Sequence, residues 1–417
     1  MIELLPPDSD ALVPRVVARN ARRARQVAAR LQRFADTLER RQACRALLAT
    51  LDHLRGARRR AFLWGPDLRA WLSAAEEAVS LASPAGEEEL FDVLARGPHL
   101  ATVLPRGRME ASSLRRARAL GNRLLRRVFR RLPELLLFLT PPGKSFGPFT
   151  LDLKDDAEEA RVAGELHVAF PSPYTWKLDS PARVELCGDE VRLPLRNTRP
   201  RYQPREQVPY SGIVVARRVI AGRRGLRPGP AARGVAQRLG EGLDLVRQAW
   251  PDAWREILIH TRVLVPLAQS GVVSYSLPER PGTSYINVQG KRAVDLADDL
   301  LHETAHHRLH SLEELAPLER KGADAHYYSP WRRQVRSLHG ILHATYTFTF
   351  RAQLFQRLLA LPGCLPRAWL RREIDRERDM LQQSLRFLRD AEDRRLLTAA
   401  GSRLFSDVAS QVRGLGN

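Results

Sequence analysis

Sulfur is scarce in this chain, with 3 cysteines and 3 methionines among 417 residues. Cys44, Cys187 and Cys364 are odd in number, widely separated and without metal-ligand spacing. That excludes a disulfide scaffold and a thiolate zinc site, and it suits a reducing compartment. Lysine is nearly missing too, confined to Lys144, Lys154, Lys177, Lys291 and Lys321. Long apolar runs are absent: the richest, Leu135–Leu139, is five residues long, far short of the roughly 18 a membrane helix needs. The opening MIELLPPDSD lacks a basic segment leading into an apolar core, so no secretory signal is expected. Together these absences predict a cytoplasmic protein with no membrane partner.

What is abundant is arginine. Lys+Arg 68 against Asp+Glu 47 gives a net charge of +21, a balance that ordinarily points to nucleic acid. The excess is almost wholly arginine, however, in a chain also rich in Ala, Leu, Gly and Pro. A GC-rich coding sequence produces that bias without selection for binding. No zinc-finger, RRM or KH pattern is present, so nucleic acid is not the expected partner. An acidic or peptidic partner steered by the field is the functional alternative. Oligomeric state is left open.

The pattern along the chain predicts an α+β, mainly α-helical protein in three regions. Residues 1–145 form an N-terminal helical region: Val16, Val27, Leu31 and Phe34 mark the apolar positions of a first helix. A later helix runs from Ser113 to Pro133, and TPPGKSFGPF at 140–149 breaks the pattern. Residues 146–290 form a β-rich region. In it, Val184 and Leu186 face Val191, Leu193 and Leu195 across Gly188-Asp189 as a hairpin. The segment at 196–212 reads as an irregular crossing, 214–222 as a strand and 235–249 as a helix. GVVSYSL at 271–277 and TSYINV at 283–288 make a second hairpin. An edge strand at Ser284–Val288 is expected to pair with an extended substrate. Residues 291–417 form a helical, metal-binding region.

That last assignment rests on His302-Glu303-Thr304-Ala305-His306, an H-E-x-x-H pattern inside the helical run VDLADDLLHETAHHRLH. Helical spacing of i, i+4 puts both imidazoles on one face about 6 Å apart, as two ligands of one metal require. Glu303, one residue round, is placed to act on a metal-bound water or to support a ligand. His310 continues the ladder, but a third ligand two turns along one straight helix reaches poorly, so it reads as a surface or supporting residue.

The third ligand decides the chemistry. A metzincin would need glycine at position 309 and histidine at 312, where Leu309 and Leu312 stand. Glu313, Glu314 and Glu319 follow too closely for a chain that must leave one helix and return. Gly322-Ala323-Asp324 loosely matches an aspartate-ligand loop. The stronger candidates, His339 and His343, are again i, i+4, on a helix expected to begin near Val335; one of the two is expected to be structural.

At this point the residues resemble a family. LLHETAH, then YYSPWRRQVRSLHGILHATYTFTF, is similar to the H-E-x-x-H peptide β-hydroxylases, iron(II)- and 2-oxoglutarate-dependent enzymes of ribosomal-peptide maturation. The matching positions are Leu301, His302, Glu303 and His306, then Ser329, Pro330, Trp331 and Arg332, then Arg336, then Gly340, Leu342 and His343. Ser337 departs from the family, which usually has proline there. The match covers about 60 residues, Asp295 to Phe350.

The resemblance implies His302, His306 and His343 as metal ligands around Fe(II), in a zincin-like core. Arg332 or Arg336, four apart at the start of the third-ligand helix, would take the distal carboxylate of 2-oxoglutarate, whose geometry suits a guanidinium fork. It implies a precursor peptide as substrate, hydroxylated at a β-carbon. The alternative from the motif alone is a zinc peptidase, with Glu303 as the catalytic general base. A basic binding protein with a merely structural metal site is a third reading.

Overall fold

A computed structural model describes residues 9–34, 48, 52, 55–64, 68–69, 72, 76, 165–166, 174–177, 185–187, 190–192, 201–204, 207–215, 234–278, 281–362 and 365–415. The expected helix at 113–133, the break at 140–149, Cys44 and Cys364 lie outside these residues. The architecture is α+β and mainly helical. Met1–Val16, Val208–Ile213 and Gly229–Asn417 form one compact unit; Val17–Gln207 and Val214–Pro228 form a second. No described helix is long and apolar enough to cross a membrane.

The chain opens with α1 (Ser9–Phe34), whose stripe of Leu12, Val16, Ala24, Val27 and Ala28 is buried while Arg15, Arg22, Arg25 and Arg30 are exposed. The second unit also holds α2 (Gly56–Trp64). There Asn20 Nδ2 donates to the Leu63 carbonyl at 2.9 Å, and the Arg23 fork grips Glu76. Its short strands are β1 (Glu165–Leu166), β2 (Tyr174–Lys177), β3 (Glu185–Cys187), β4 (Glu190–Arg192), β5 (Arg201–Pro204) and β6 (Val214–Val215). The expected hairpin is present as β3–β4, with Cys187 opposite Glu190. The segment read as an irregular crossing contributes β5, antiparallel to β2. Of the expected strand at 214–222, only β6 falls among the described residues.

The first unit carries α3 (Val235–Ala249), α4 (Pro251–His260), β7 (Val263–Leu267), β8 (Tyr275–Ser276), β9 (Thr283–Asn287) and α5 (Ala293–Leu315). After these come β10 (His326–Ser329), β11 (Gln334–Ser337), α6 (Leu338–Ala360), α7 (Arg367–Asp393) and α8 (Ala399–Arg413). The expected 271–288 hairpin is β8–β9, in register through Tyr275↔Tyr285 and Ser276↔Ser284. One expectation is corrected here. β9 is not an edge: β7 pairs with it in parallel along Val263–Leu267, β8 flanks its other side, and Thr283–Asn287 are buried throughout. With a strand on each side, Ser284–Val288 is not the open edge that strand addition needs.

Burial explains how the motif helix is held. Gly242 lets α3 approach α5 closely, since a Cβ there would stand 3.0 Å from the Ala297 nitrogen. His307, next to the motif, is 1% exposed. Its Nδ1 accepts from the Gly282 amide at 3.2 Å and its Nε2 meets Ser284 Oγ at 3.0 Å, tying α5 to β9. Thr304 bonds Thr261 at 2.7 Å. Arg308, equally buried, donates to Glu256 on α4 at 3.2 Å and to the Tyr346 hydroxyl on α6 at 2.8 Å. Three different elements therefore fix one helix face.

A second correction concerns the approach to α6. The helix starts at Leu338 rather than near Val335, capped by Ser337, whose hydroxyl accepts from the Gly340 amide at 3.3 Å. Before it, β10 and β11 form an antiparallel hairpin, Ser329↔Gln334 to His326↔Ser337. Arg332 is in the turn of that hairpin and Arg336 is on β11 opposite Tyr327, so the two do not share a helical face.

Candidate metal centre

The face of α5 that carries chemistry shows His302, His306, His310 and Glu313. Successive helical residues rotate by about 100°, so these four positions stay on one side. Across from them α6 presents His339 and His343. The two helices meet at His306 and His343, whose Nδ1 atoms face each other 3.3 Å apart. Two nitrogens bound at about 2.1 Å to one ion stand about 3.0–3.4 Å apart, so this spacing is that of two ligands of a common metal.

His302 lies alongside, its ring 5.0 Å from that of His306 in an edge-on arrangement. Donor atoms of His306, His310 and His343 all lie within 4.8 Å of one another, as do those of Glu313, His339 and His343. His302 stands outside both groups, while His310, read from the sequence as a supporting residue, joins the first. His339 is more exposed and turned to Glu319, at 3.0 Å. Asp324, the loop alternative, is 88% exposed and paired with His326, away from these groups.

Burial favours the neutral form of His302, His306 and His343, the form that binds metal. His302 is pushed down to about 3, chiefly by burial and then by the charges of Arg351, Arg332 and Lys291. Burial likewise drives His306 well below the ordinary range, with the neighbouring histidines adding to it. His343 is lowered by burial, although Glu313 opposes the shift. Glu303 is 3% exposed. Burial raises its carboxyl to about 8, against a hydrogen bond from Ser276 on β8. Its Oε2 is buried and has no hydrogen-bond partner among the described residues. Imidazoles from two helices, with a carboxylate among them, are the donor set that a transition-metal cation takes.

One side of the centre is aromatic. Phe348 on α6 meets the His302 ring edge-on at 4.8 Å, and Trp331 stacks on Phe348 at 4.5 Å and 3°. Trp331 Nε1 donates to Glu377 on α7 at 2.9 Å. Behind this wall Arg351 lies 3.2 Å from both Asp298 and Glu377. Burial raises Asp298 to about 7 in spite of that arginine. Arg351 is therefore committed to its own carboxylates. Lys291 is likewise occupied, bonded to Asp299.

Arg332 differs: it is exposed at the hairpin turn, its charge reaches both His302 and Glu303, and it has no ion pair with a described residue. Arg336 is also exposed and is not among the charges that act most on His302 or Glu303. Sequence reasoning dismissed Glu313 and missed Ser276, Phe348 and Arg351. Glu313 had a readable signal, since eleven residues from His302 is close to three full turns. The other three are brought in by tertiary packing alone. No protein-family model matches the chain, and no curated protein matches it.

Proposed function

We propose that the chain is a metal-dependent oxygenase, an iron(II)- and 2-oxoglutarate-dependent hydroxylase acting at a β-carbon of a ribosomally made precursor peptide, with a zincin-like core. The observation that carries the metal site is the convergence of His306, from the H-E-x-x-H helix, with His343, from the Gly-x-Leu-His helix, at ligand spacing. His302, His306 and His343 would hold the ion as neutral imidazoles, leaving up to three positions of an octahedral iron open, enough for a chelating keto acid and dioxygen. With the iron bound, decarboxylation of 2-oxoglutarate to succinate and carbon dioxide supplies one oxygen atom of dioxygen to succinate and the other to a C–H bond.

The chain's own residues would do the rest. Arg332, an uncommitted cation whose field reaches His302, would take the distal carboxylate. Phe348 and Trp331 would wall the centre with apolar surface and keep water from it. Glu303, buried against Ser276, would support the ligand helix.

The test is anaerobic titration of the Fe(II)-loaded chain with 2-oxoglutarate, following the visible charge-transfer band of a chelated keto acid. A saturable band, lost in His343→Ala, is expected. Arg332→Ala should weaken 2-oxoglutarate about tenfold to a hundredfold, the worth of a charge-assisted fork, while Arg336→Ala leaves it unchanged. No band, with tight zinc binding instead, refutes the oxygenase and leaves the peptidase.

A further inference from the structure

An imidazole has two nitrogens, and the group that holds one of them decides which is free to bind a metal. His343 Nε2 lies 3.0 Å from Glu313 Oε1. A carboxylate oxygen only accepts, so Nε2 carries the proton and donates. That leaves Nδ1 of the same ring with its lone pair, and Nδ1 is the atom facing His306 at 3.3 Å. The other carboxylate oxygen, Glu313 Oε2, takes the Nδ1–H of His310 at 3.2 Å. Glu313 is mostly covered, with 19% of its side chain exposed, and it is fixed at both oxygens between a ring of its own helix and a ring of α6.

From this we infer that Glu313 is the positioning residue of the centre: it sets the tautomer of His343 and aims Nδ1 at the metal. The inference rests on the three-histidine reading above and adds to it the group that makes the third ligand competent. Glu313, His339 and His343 also bring their donors within 4.8 Å, which raises the question of an ion of their own. Such an ion would require His343 to give both nitrogens to metals, losing the proton that Glu313 accepts. One ion with Glu313 behind its ligand needs no such loss.

The experiment is a zinc competition titration against a chromophoric chelator, using the full chain as wild type, Glu313→Ala, Glu313→Gln, His343→Ala and the Glu313→Ala/His343→Ala double variant. Circular dichroism of each metal-free protein checks folding. Glu313→Ala should weaken zinc about tenfold to a hundredfold, the usual worth of a group behind a metal ligand. Glu313→Gln, which keeps an acceptor oxygen, should recover part of the loss, and it covers the case in which the alanine variant folds poorly. In the His343→Ala background the further change from Glu313→Ala should be less than about twofold, because the residue acts only through that ring. Wild-type affinity in both Glu313 variants, with His343→Ala impaired, overturns the inference alone. So does an equal loss in the His343→Ala background, or a second ion per chain that Glu313→Ala removes. Undiminished affinity in His343→Ala overturns the ligand assignment itself, and the inference with it.

Discussion

Replacing Arg308 by methionine perturbs a buried cation that joins both ligand helices. Its side chain is 1% exposed and that of Glu256 is 5% exposed. The guanidinium spans α4 and α6, reaching Glu256 at 3.2 Å and the Tyr346 hydroxyl at 2.8 Å. Methionine fills much of the volume but supplies no donor. Among the described residues His260 also lies near Glu256, 3.3 Å away, a ring that is charged only when protonated. The variant therefore takes from a buried carboxylate its guanidinium partner. Breaking a buried pair in this way costs about 3–5 kcal/mol, a large part of the roughly 5–15 kcal/mol that holds a typical fold. Urea unfolding of the metal-free chain, followed by circular dichroism, should show that loss at pH 7. Arg308→Met/Glu256→Met should recover most of the deficit, because no charge is stranded. A loss below about 1 kcal/mol in the single variant, or a double variant no better than the single, would refute the reasoning.

Two other outcomes follow from packing and from charge. Gly242→Val should destabilise the chain by about 1–3 kcal/mol, since its Cβ would press on the Ala297 nitrogen and Leu296 Cβ, both 3.0 Å away; thermal melting equal to wild type would contradict that helix crossing. Glu303 has the opposite signature, because the fold holds its carboxyl at about 8 against the ordinary 4.5 of a solvated glutamate. The folded chain keeps a proton that the unfolded chain releases, so this group's contribution is fullest below 4.5 and is lost as pH rises to about 8. Metal-free Glu303→Gln should gain stability over wild type progressively across that window, and a difference that does not vary with pH would contradict the burial.

Much of the fold is readable from local patterns. Alternating apolar residues on either side of Gly188-Asp189 in the sequence mark the β3–β4 pair, and the alternation around 271–288 marks β8–β9. The periodicity of VDLADDLLHETAHHRLH marks α5. What escapes is non-local. The buried strand β7, Val-Leu-Val-Pro-Leu, has no alternation to betray it, because both faces are covered. Without β7 in view, β9 reads as an edge. The β10–β11 hairpin reads as the start of a helix because Gln334–Ser337 are exposed throughout and show no apolar period. Ser337, the cap of α6, is the local sign that the helix begins later. At the site, the histidines are legible as a spacing, whereas the link from Glu313 to His343 depends on two helices lying side by side. The wall formed by Trp331 and Phe348 depends on a hairpin folding back over α6.

The central claim is that the H-E-x-x-H histidines, together with His343, hold one catalytic ion. His310 is the rival for the place given to His302, since its donor lies with those of His306 and His343. The most direct measurement is the iron(II) affinity of His302→Ala beside that of His310→Ala in the otherwise intact chain. His302→Ala should abolish tight binding, while His310→Ala should retain it within a few-fold. Tight binding kept by His302→Ala and lost by His310→Ala would contradict that claim.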